Sequence, residues 1–190
     1  MNLKLEDYVI KLDSFVKKKL CEKLVDILKK EKNWKEHNFY NSRTKESFKK
    51  SKDQELEILY LKHELHDELM LIFWNAISEY VLKKLKFTWF NGWAGYTSIS
   101  YNKYSENKKM ALHCDHIHSI FDGEIKGIPI ISVLAILNED YKGGEFIMFK
   151  DKKIKTKVGD IIIFPSNFLY PHKVTPVLKG TRYSCISWVY

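Results

Sequence analysis

Hydrophobic positions in the first third of the chain recur at the spacing of an α-helix. Between residues 13 and 30 an apolar residue occupies every fourth position, and lysines fill the opposite face. This stripe consists of Val16, Leu20, Leu24 and Leu28. Asp13 and Ser14 stand just before it, where N-capping residues are found. The pattern therefore predicts a helix that runs to about Lys30.

A second amphipathic stripe predicts a helix over residues 63–84. The polar stretch 33–52 between the two helices predicts a long loop, and residues 56–61 fit either a short strand or the start of the second helix. Glycine and proline are absent before Gly92. Because both residues interrupt helices, their absence favours a helical N-terminal part.

The pattern changes from residue 96 onward, where short apolar segments alternate with turns that contain glycine or proline. These segments are residues 96–104, 109–115, 128–137, 145–149, 154–158, 161–164 and 181–190. Many short strands at regular spacing predict a β-sandwich or a barrel. Helices on one face of antiparallel sheets then give an α+β fold.

Composition limits the class of protein. A length of 190 residues, of which 45% are hydrophobic, predicts one domain with a substantial core. The net charge of +8 raises the question of a nucleic-acid partner. However, Arg43 and Arg182 are the only arginines, and the lysines spread along the whole chain, whereas phosphate-binding surfaces favour arginine. Charge alone therefore indicates a solvated surface, and nucleic-acid binding stays open as the weaker interpretation.

The cysteines and the apolar runs bear on the compartment. Cys21, Cys114 and Cys185 are widely spaced and odd in number, which predicts reduced thiols rather than a disulfide framework. No apolar run is long enough to cross a bilayer. The first residues lack the apolar stretch of a secretory signal. We therefore expect a cytoplasmic protein without a membrane partner.

Candidate metal-binding chemistry begins at the segment His113-Cys114-Asp115. Alternate side chains of a strand share a face, so His113 and Asp115 would point the same way. His172 is the best third ligand, because strands that are distant in sequence meet in a sandwich or barrel. Two histidines and one carboxylate leave open coordination positions, as in non-haem Fe(II) oxygenases. A histidine at the end of a strand is also a common structural residue, so this pattern alone is weak.

Arg182 strengthens the hypothesis of a site. It follows His172 by ten residues and shares a strand face with Ser184, Ile186 and Trp188. An arginine inside an apolar strand needs an anion, and a carboxylate can accept two of its hydrogen bonds in parallel. An internal salt bridge to an Asp or Glu is the alternative interpretation.

This ordered set of motifs resembles the Fe(II)/2-oxoglutarate-dependent oxygenases, and among them the prolyl 4-hydroxylase-like branch, including members that are common in phage genomes. The shared features are a His-x-Asp pair, a distal His, an Arg ten residues later and a final strand that contains Trp near its end. Further matches are Tyr104, nine residues before the first His, and the segments Gly143-Gly144-Glu145-Phe146, Gly159-Asp160 and Phe164-Pro165. The resemblance covers residues 96–190 well and the N-terminal helices loosely.

The resemblance implies a double-stranded β-helix, or jelly roll, over residues 96–190. Residues 1–95 are then expected to be an N-terminal helical support region that packs on one sheet of a single domain. It also implies the catalytic residues. His113, Asp115 and His172 would hold Fe(II), and Arg182 would pair with the distal carboxylate of the co-substrate 2-oxoglutarate.

Other residues receive less certain roles from the resemblance. Ser184 is expected to add a hydroxyl group to the co-substrate pocket. Tyr104 is expected either to bond the co-substrate or to be a core or substrate-facing residue. Relatives often carry a Tyr where this chain has Ile136, so Ser132 on the same strand face is expected to substitute for it. His116 and His118 follow the metal motif and are expected either to line the substrate mouth or to be polar loop residues.

The implied reaction uses O2 to hydroxylate a C–H bond, with ascorbate as a candidate accessory reductant. The expected substrate is a peptidyl residue such as proline. One alternative is an oxygenase on the same scaffold that acts on a nucleobase, an amino acid or a small metabolite. Another is a non-catalytic jelly-roll module with a binding or structural role. The sequence determines neither the prime substrate, nor the oligomeric state, nor the metal that is bound.

Overall fold

Two antiparallel β-sheets face each other, and two helices cover the outer face of the larger sheet. The structure is a computed structural model and describes residues 4–41, 43–90, 95–115 and 128–190. The strands in these ranges are β1 (Ile10–Leu12), β2 (Lys35–Glu36), β3 (Phe39–Asn41), β4 (Glu46–Phe48), β5 (Glu57–Tyr60), β6 (Ser100–Tyr104), β7 (Met110–His113), β8 (Ile131–Ile136), β9 (Lys142–Gly143), β10 (Phe146–Met148), β11 (Lys152–Ile154), β12 (Ile161–Pro165), β13 (His172–Val174), β14 (Val177–Lys179) and β15 (Arg182–Val189). The helices are α1 (Lys18–Lys30) and α2 (His66–Ser78), which π-helical turns continue over Glu79–Lys84.

The strand order is that of a jelly roll. The larger sheet has the order β1-β12-β8-β15-β6-β5-β2, and the smaller one has the order β11-β10-β13-β7. All neighbouring strands of these two sheets are antiparallel. Two short hairpin-like pairs, β14-β9 and β3-β4, lie outside the two sheets. The α+β class and the antiparallel architecture predicted from the sequence are confirmed.

Strands at the centre of the larger sheet have alternate side chains on its two faces, and each face belongs to a different hydrophobic core. In β8, Val133 and Ala135 pack against the helices, while Leu134 and Ile136 face the smaller sheet. The same division holds in β12 and β15. A strand with both faces buried reads as a nearly continuous apolar run, which explains the sequence of residues 131–136. One core therefore lies under the helices and the other between the two sheets.

The helices occur where the apolar stripes predict them, but α1 begins differently. The expected caps Asp13 and Ser14 do not cap it, because the helix starts at Lys18 and the backbone N–H of Ser14 donates to Asp160 Oδ1 at 2.9 Å. The chain needs this turn to bring β1 beside β12 before α1 can start. No helix within the described ranges is long and apolar enough to cross a membrane.

The N-terminal half contains more β structure than the pattern predicts. The expected loop over residues 33–52 includes β2 and the β3-β4 hairpin, and the ambiguous segment 56–61 contains the strand β5. β5 is a strand because it pairs with β6, a partner about forty residues later that local sequence does not reveal. Three strands from the first 95 residues thus extend the larger sheet. The division of the domain at residue 95 stays a prediction.

The turn at Gly159-Asp160 fastens the N-terminal segment to the sheet. The buried carboxylate of Asp160 accepts hydrogen bonds from the backbone of Ser14 and of Lys157, each at 2.9 Å, and from Lys11 Nζ at 3.2 Å. Gly159 has φ +84°, and its carbonyl accepts from the N–H of Val16 at 2.9 Å. A Cβ at position 159 would lie 2.2 Å from the Val16 carbonyl oxygen, so only glycine fits.

We predict that Gly159→Ala lowers the free energy of unfolding by roughly 2–4 kcal/mol, because it combines a left-handed backbone with a backbone clash. Urea denaturation followed by tryptophan fluorescence measures this loss. Gly95→Ala is the control, since its Cβ would meet only the movable side chain of Tyr190 and needs no positive φ. Equal losses in the two variants would contradict this account of the turn.

Candidate active site

Three potential metal ligands converge at the edge of the smaller sheet. β7 and β13 pair so that His113 and His172 lie opposite each other, and Asp115 follows two residues after β7. The Nε2 atoms of both histidines lie 3.5 Å from Asp115 Oδ1. Ligand atoms from all three residues fall within 4.8 Å of one another. The sequence prediction that these three side chains come together is therefore met by the geometry.

The backbone holds both imidazole rings in one orientation. The Nδ1 atom of His113 lies 2.8 Å from the Ala111 carbonyl oxygen, and that of His172 lies 3.1 Å from the Tyr170 carbonyl oxygen. A carbonyl oxygen can only accept, so each Nδ1 carries the proton. The Nε2 atoms, which face Asp115, are then the ring nitrogens that a metal ion can bind.

Asp115 is oriented by two donors from the larger sheet. Its Oδ2 atom accepts from Ser132 Oγ at 2.5 Å and from Trp188 Nε1 at 3.1 Å. Ser132 also shares a hydrogen bond with Ser166, which fixes its hydroxyl group. Oδ2 is thereby occupied, and Oδ1 is left facing the two histidines. This division of the two oxygens resembles the way outer hydrogen bonds orient metal-binding carboxylates.

The electrostatics of the triad favour an ionised carboxylate. Burial alone would raise the pKa of Asp115, but the charge of His172 and hydrogen bonds from both histidines hold that pKa well below its usual value. Burial would likewise lower the pKa of His172, yet the neighbouring Asp115 carboxylate raises it. A buried carboxylate is costly without a cation beside it, and two imidazoles with one carboxylate form a donor set that fits a divalent metal ion.

Arg182 lies in the same cavity without a carboxylate partner. Only 1% of its surface is exposed. Its Nη1 donates to Ser184 Oγ at 3.0 Å, while Nε and Nη2 find no partner among the described residues. Arg182 has no Asp or Glu partner in the described part of the chain, so the internal salt bridge considered as the alternative is absent there. Such an unpaired buried charge is costly. One N–H of Nε and one of Nη2 can each donate to one oxygen of a carboxylate.

The stem of Arg182 is held in place by tight packing. Its Cζ lies 4.9 Å from the centre of the Tyr104 ring, and burial raises the pKa of that tyrosine to about 12 although the neighbouring Arg182 opposes the shift. Tyr104 is therefore a neutral phenol at physiological pH. Gly144 (φ +61°) touches the other side, where an added Cβ would lie 3.0 Å from Arg182 Cδ. The Gly143-Gly144 motif thus leaves room for this side chain.

One cavity of about 500 Å³ is lined by the triad, Arg182 and Tyr104. Its closed part holds Tyr104, Arg182 and apolar residues of both sheets, and its mouth is bordered by residues 37–40 and by Phe48 and Lys50. A volume in this range is typical of pockets that bind small organic ligands. The cavity therefore has room for a ligand that reaches from the guanidinium group to the triad.

The structure separates the predicted co-substrate residues into two groups. Ser184 and Tyr104 lie beside Arg182, as expected. Ser132 does not, because β8 places it opposite Trp188, six residues along β15 from Arg182. Its hydroxyl group donates to Asp115, and the expected contact between Ser132 and the co-substrate stays a prediction. His116 and His118 lie outside the described residues.

Several lining residues were missed by sequence reasoning. Phe39 packs its ring edge on His113 with centroids 5.7 Å apart, and Lys50 lies over Phe39 and donates to the Leu112 carbonyl at 3.1 Å. Burial lowers the pKa of His37 to about 4, so a neutral imidazole borders the mouth. These residues fall in the segment that was predicted as loop, where no periodicity signals a site. Asn102, on β6, carried a signal that was overlooked, since it is polar and shares a strand face with Tyr104.

Comparison with known proteins finds relatives of the C-terminal half of the chain. The family model of the 2OG-Fe(II) oxygenase superfamily matches residues 99–190. A PKHD-type hydroxylase of Alteromonas mediterranea is 35% identical over 96 residues, which cover 47% of this chain and 41% of that protein. One of Xylella fastidiosa strain M12 is 32% identical over 106 residues, with 47% and 42% covered. The chain thus spans less than half the length of these curated relatives.

Solved structures share the fold over nearly the whole chain. A Pseudomonas putida prolyl-4-hydroxylase has a TM-score of 0.70 at 16% identity and covers 96% of this chain and 91% of its own. A Trichoplax adhaerens prolyl hydroxylase, solved with a peptide fragment of hypoxia inducible factor, has a TM-score of 0.71 at 17% identity, with 97% and 84% covered. At these identities the likeness shows the fold alone. The resemblance read from the motifs is confirmed for the superfamily, whereas kinship with phage members stays a prediction.

We predict that Ser132→Ala and Trp188→Phe each weaken metal binding by about 10-fold, because each removes a donor that orients Asp115. Calorimetric titration with Mn(II), which is redox-stable in air, measures the change. Trp34→Phe is the matched control, since Trp34 packs on Tyr183 on the other face of β15. Metal affinities equal to wild type in both variants would refute the role of these donors.

We also predict that Arg182→Met raises the free energy of unfolding of the ligand-free protein by about 1–4 kcal/mol, since an apolar side chain of similar length replaces an unpaired buried charge. Chemical denaturation at neutral pH measures the gain. Arg182→Lys keeps the charge and should show no gain. A loss of stability in Arg182→Met would mean that the guanidinium group has a counterion in the free protein.

Proposed function

We propose, from the match of residues 99–190 to the family model of the 2OG-Fe(II) oxygenase superfamily, that the protein is an Fe(II)- and 2-oxoglutarate-dependent dioxygenase that hydroxylates a C–H bond. The observation that carries the proposal is a buried Arg182 with two free N–H groups in the same cavity as the His113, Asp115 and His172 triad. A metal-binding module without this co-substrate would have no use for such an arginine.

The assignment of the metal rests on the donor set. His113, Asp115 and His172 would hold Fe(II) through two imidazole Nε2 atoms and one carboxylate oxygen, a ligand set that leaves positions open for further ligands. Ser132 and Trp188 would keep the Asp115 carboxylate in its orientation. Asp115 and His172 are buried, and burial strengthens the electrostatic interactions between these groups.

The assignment of the co-substrate rests on charge and shape. Arg182 would bind the distal carboxylate of 2-oxoglutarate through Nε and Nη2, supported by Ser184 on Nη1 and by the Tyr104 ring. When bound, iron, 2-oxoglutarate and O2 supply the oxidant for hydroxylation, with succinate and carbon dioxide as co-products. We further propose ascorbate as an accessory reductant that keeps the iron ferrous.

The prime substrate that we propose is a peptidyl residue such as proline. The names of the relatives support this choice, since they are PKHD-type hydroxylases and prolyl hydroxylases, one of them solved with a peptide. The mouth of the cavity supports it as well, because aromatic side chains of the β3-β4 hairpin and of β5 border it. Flat apolar rings favour an extended peptide with a compact apolar side chain over a highly charged ligand.

The alternatives find less support. A nucleobase substrate would call for a basic groove beside the metal ligands. Among the described residues, Lys50 is the one lysine that borders the cavity, and its ammonium group already contacts Phe39 and the Leu112 carbonyl. A free amino acid or small metabolite and a non-catalytic binding module are distinguished by the experiment below. A cytoplasmic location is also a proposal, which the three free cysteines support.

The test is turnover without a prime substrate. The protein is loaded with Fe(II) under anaerobic conditions, mixed with 2-oxoglutarate and O2, and succinate is measured over time. We predict slow succinate formation by the wild type and a loss of at least about 100-fold in His172→Ala and Arg182→Ala, because each removes a group that binds metal or co-substrate. Arg43→Ala, at the only other arginine, is the matched control, since Arg43 is exposed in the β3-β4 turn.

Each outcome has a distinct meaning. Succinate that disappears in both site variants but not in Arg43→Ala supports the oxygenase. Binding of 2-oxoglutarate without succinate, seen as a charge-transfer absorption with Fe(II), shows the site to be competent and dependent on its prime substrate, which proline-rich peptides would then supply. Absence of both binding and succinate refutes the proposal and favours the non-catalytic module.

A further inference from the structure

Glu55 is a buried carboxylate that neither the fold nor the proposed metal and co-substrate sites explain. The buried acidic residues in the described ranges are Glu55, Asp115 and Asp160. Asp160 accepts three hydrogen bonds, one of them from Lys11. Glu55, with none of its surface exposed, accepts one at Oε1, from the N–H of Ser51 at 2.8 Å, while its Oε2 is buried without a hydrogen-bond partner among the described residues. Burying a carboxylate with so few donors is costly, so this residue needs another explanation.

The group that faces Glu55 is the imidazole of His37. The two residues lie close because β2 and β5 are paired, and the N–H of His37 donates to the Leu56 carbonyl at 2.8 Å. His37 Nδ1 lies 3.8 Å from Glu55 Oε2, and neither atom has a hydrogen-bond partner among the described residues. A shift of about 1 Å closes this gap to a hydrogen bond, in which Nδ1 donates because a carboxylate only accepts. The other ring nitrogen, Nε2, is then an acceptor.

The imidazole of His37 lies at the mouth of the cavity, near the triad. It borders that mouth together with Phe39, whose ring meets the imidazole edge-on with centroids 4.7 Å apart. Burial, and then the charges of His113 and Lys50, lower the pKa of His37 to about 4, against the opposing charge of Asp115. The ring is therefore neutral at physiological pH, and Nδ1 is the nitrogen that is sealed off beside Glu55, so Nε2 is left for a ligand. A second metal ion is not indicated, because the triad is the only group of three potential ligands among the described residues.

We propose that His37 binds the prime substrate, with its Nε2 accepting a hydrogen bond from a backbone N–H of a peptide, and that Glu55 is the positioning residue that holds the imidazole for this contact. The inference rests on the proposed function and names a group of the substrate that the protein recognises. Every residue of a peptide other than proline offers such a donor. A carboxylate behind the ring polarises the imidazole and strengthens Nε2 as an acceptor. A substrate that presents no donor here would leave this nitrogen unpaired, which selects against it.

The test compares turnover with and without a peptide. Succinate is followed with Fe(II), 2-oxoglutarate and O2 while a pool of randomised pentapeptides with a central proline is titrated in. A second pool carries backbone N-methyl groups at the other positions, and the termini of both pools are blocked by groups without N–H, so the second pool offers no backbone donor. We expect the wild type to show an apparent KM about 10-fold lower for the first pool than for the second, which is the effect of one hydrogen bond.

Variants and pools together form a double-mutant cycle that isolates the contact. We expect His37→Phe to raise the apparent KM for the first pool about 10-fold and to leave that for the methylated pool unchanged, since those peptides cannot make the contact. His37→Gln, whose amide oxygen reaches the position of Nε2, should regain part of the loss. Glu55→Leu should give a smaller increase, and NMR of the imidazole nitrogens should show a mixture of His37 tautomers in place of a single Nδ1–H form. Lys35→Ala, at an exposed position of β2, is the control for which no change is expected.

The succinate rate without peptide separates this inference from the proposed function. We expect that rate to stay at the wild-type value in every variant, which reports that the fold and the metal and co-substrate sites are intact. A wild-type KM in His37→Phe, an equal effect of that substitution on both pools, or no response of the wild type to either pool would overturn the role of His37 while leaving the proposed function in place. Failure of the wild type itself to form succinate and to bind 2-oxoglutarate would refute the proposed function.

Discussion

β15 runs through the middle of the larger sheet, paired over its length with β8 on one side and along much of it with β6 on the other. Successive side chains must point to opposite faces. Tyr183, Cys185 and Val189 therefore pack under the helices, while Arg182 and Ser184 face the cavity. A shift of one residue in this register would put a guanidinium group into the helix core and an apolar side chain into the site. The core and the candidate site thus depend on one pairing.

The candidate site holds charges that the fold alone does not need. Arg182 is almost fully buried, and its Nε and Nη2 have no partner among the described residues, while Asp115 is a buried carboxylate 3.5 Å from the Nε2 atoms of two histidines. Such groups destabilise a protein unless ligands compensate them, and they are found where function requires them. Burial of the apolar faces of β8 and β12, together with the helices that cover the sheet, stabilises the fold. This stability offsets the cost of the buried charges.

The two halves of the chain contribute different parts of the cavity. The side chains assigned to the metal and to the co-substrate all lie within residues 99–190, which the family model matches. Residues 37–40, Phe48 and Lys50 border the mouth and lie outside that segment. Relatives that match residues 99–190 can therefore share the proposed metal and co-substrate sites. The residues at the mouth, which would contact the prime substrate, lie in a part of the chain that the family model does not match. The hairpin β3-β4, which packs on His113 through Phe39, connects the two parts.

The sequence by itself determined the features that depend on local geometry. Strand alternation places His113 with Asp115 and Arg182 with Ser184, and helical spacing predicts α1 and α2, because these relations involve residues only a few positions apart. Tertiary structure decided the rest. It formed the strand β5 (Glu57–Tyr60) within residues 56–61 by pairing it with β6, removed Ser14 from the cap of α1 through Asp160, and joined Ser132 to Asp115 by a hydrogen bond. Among the described residues, it also left the Asn102 amide on β6 without a hydrogen-bond partner. Each of these outcomes is set by a neighbour that is distant in sequence, and residue spacing carries no information about such neighbours.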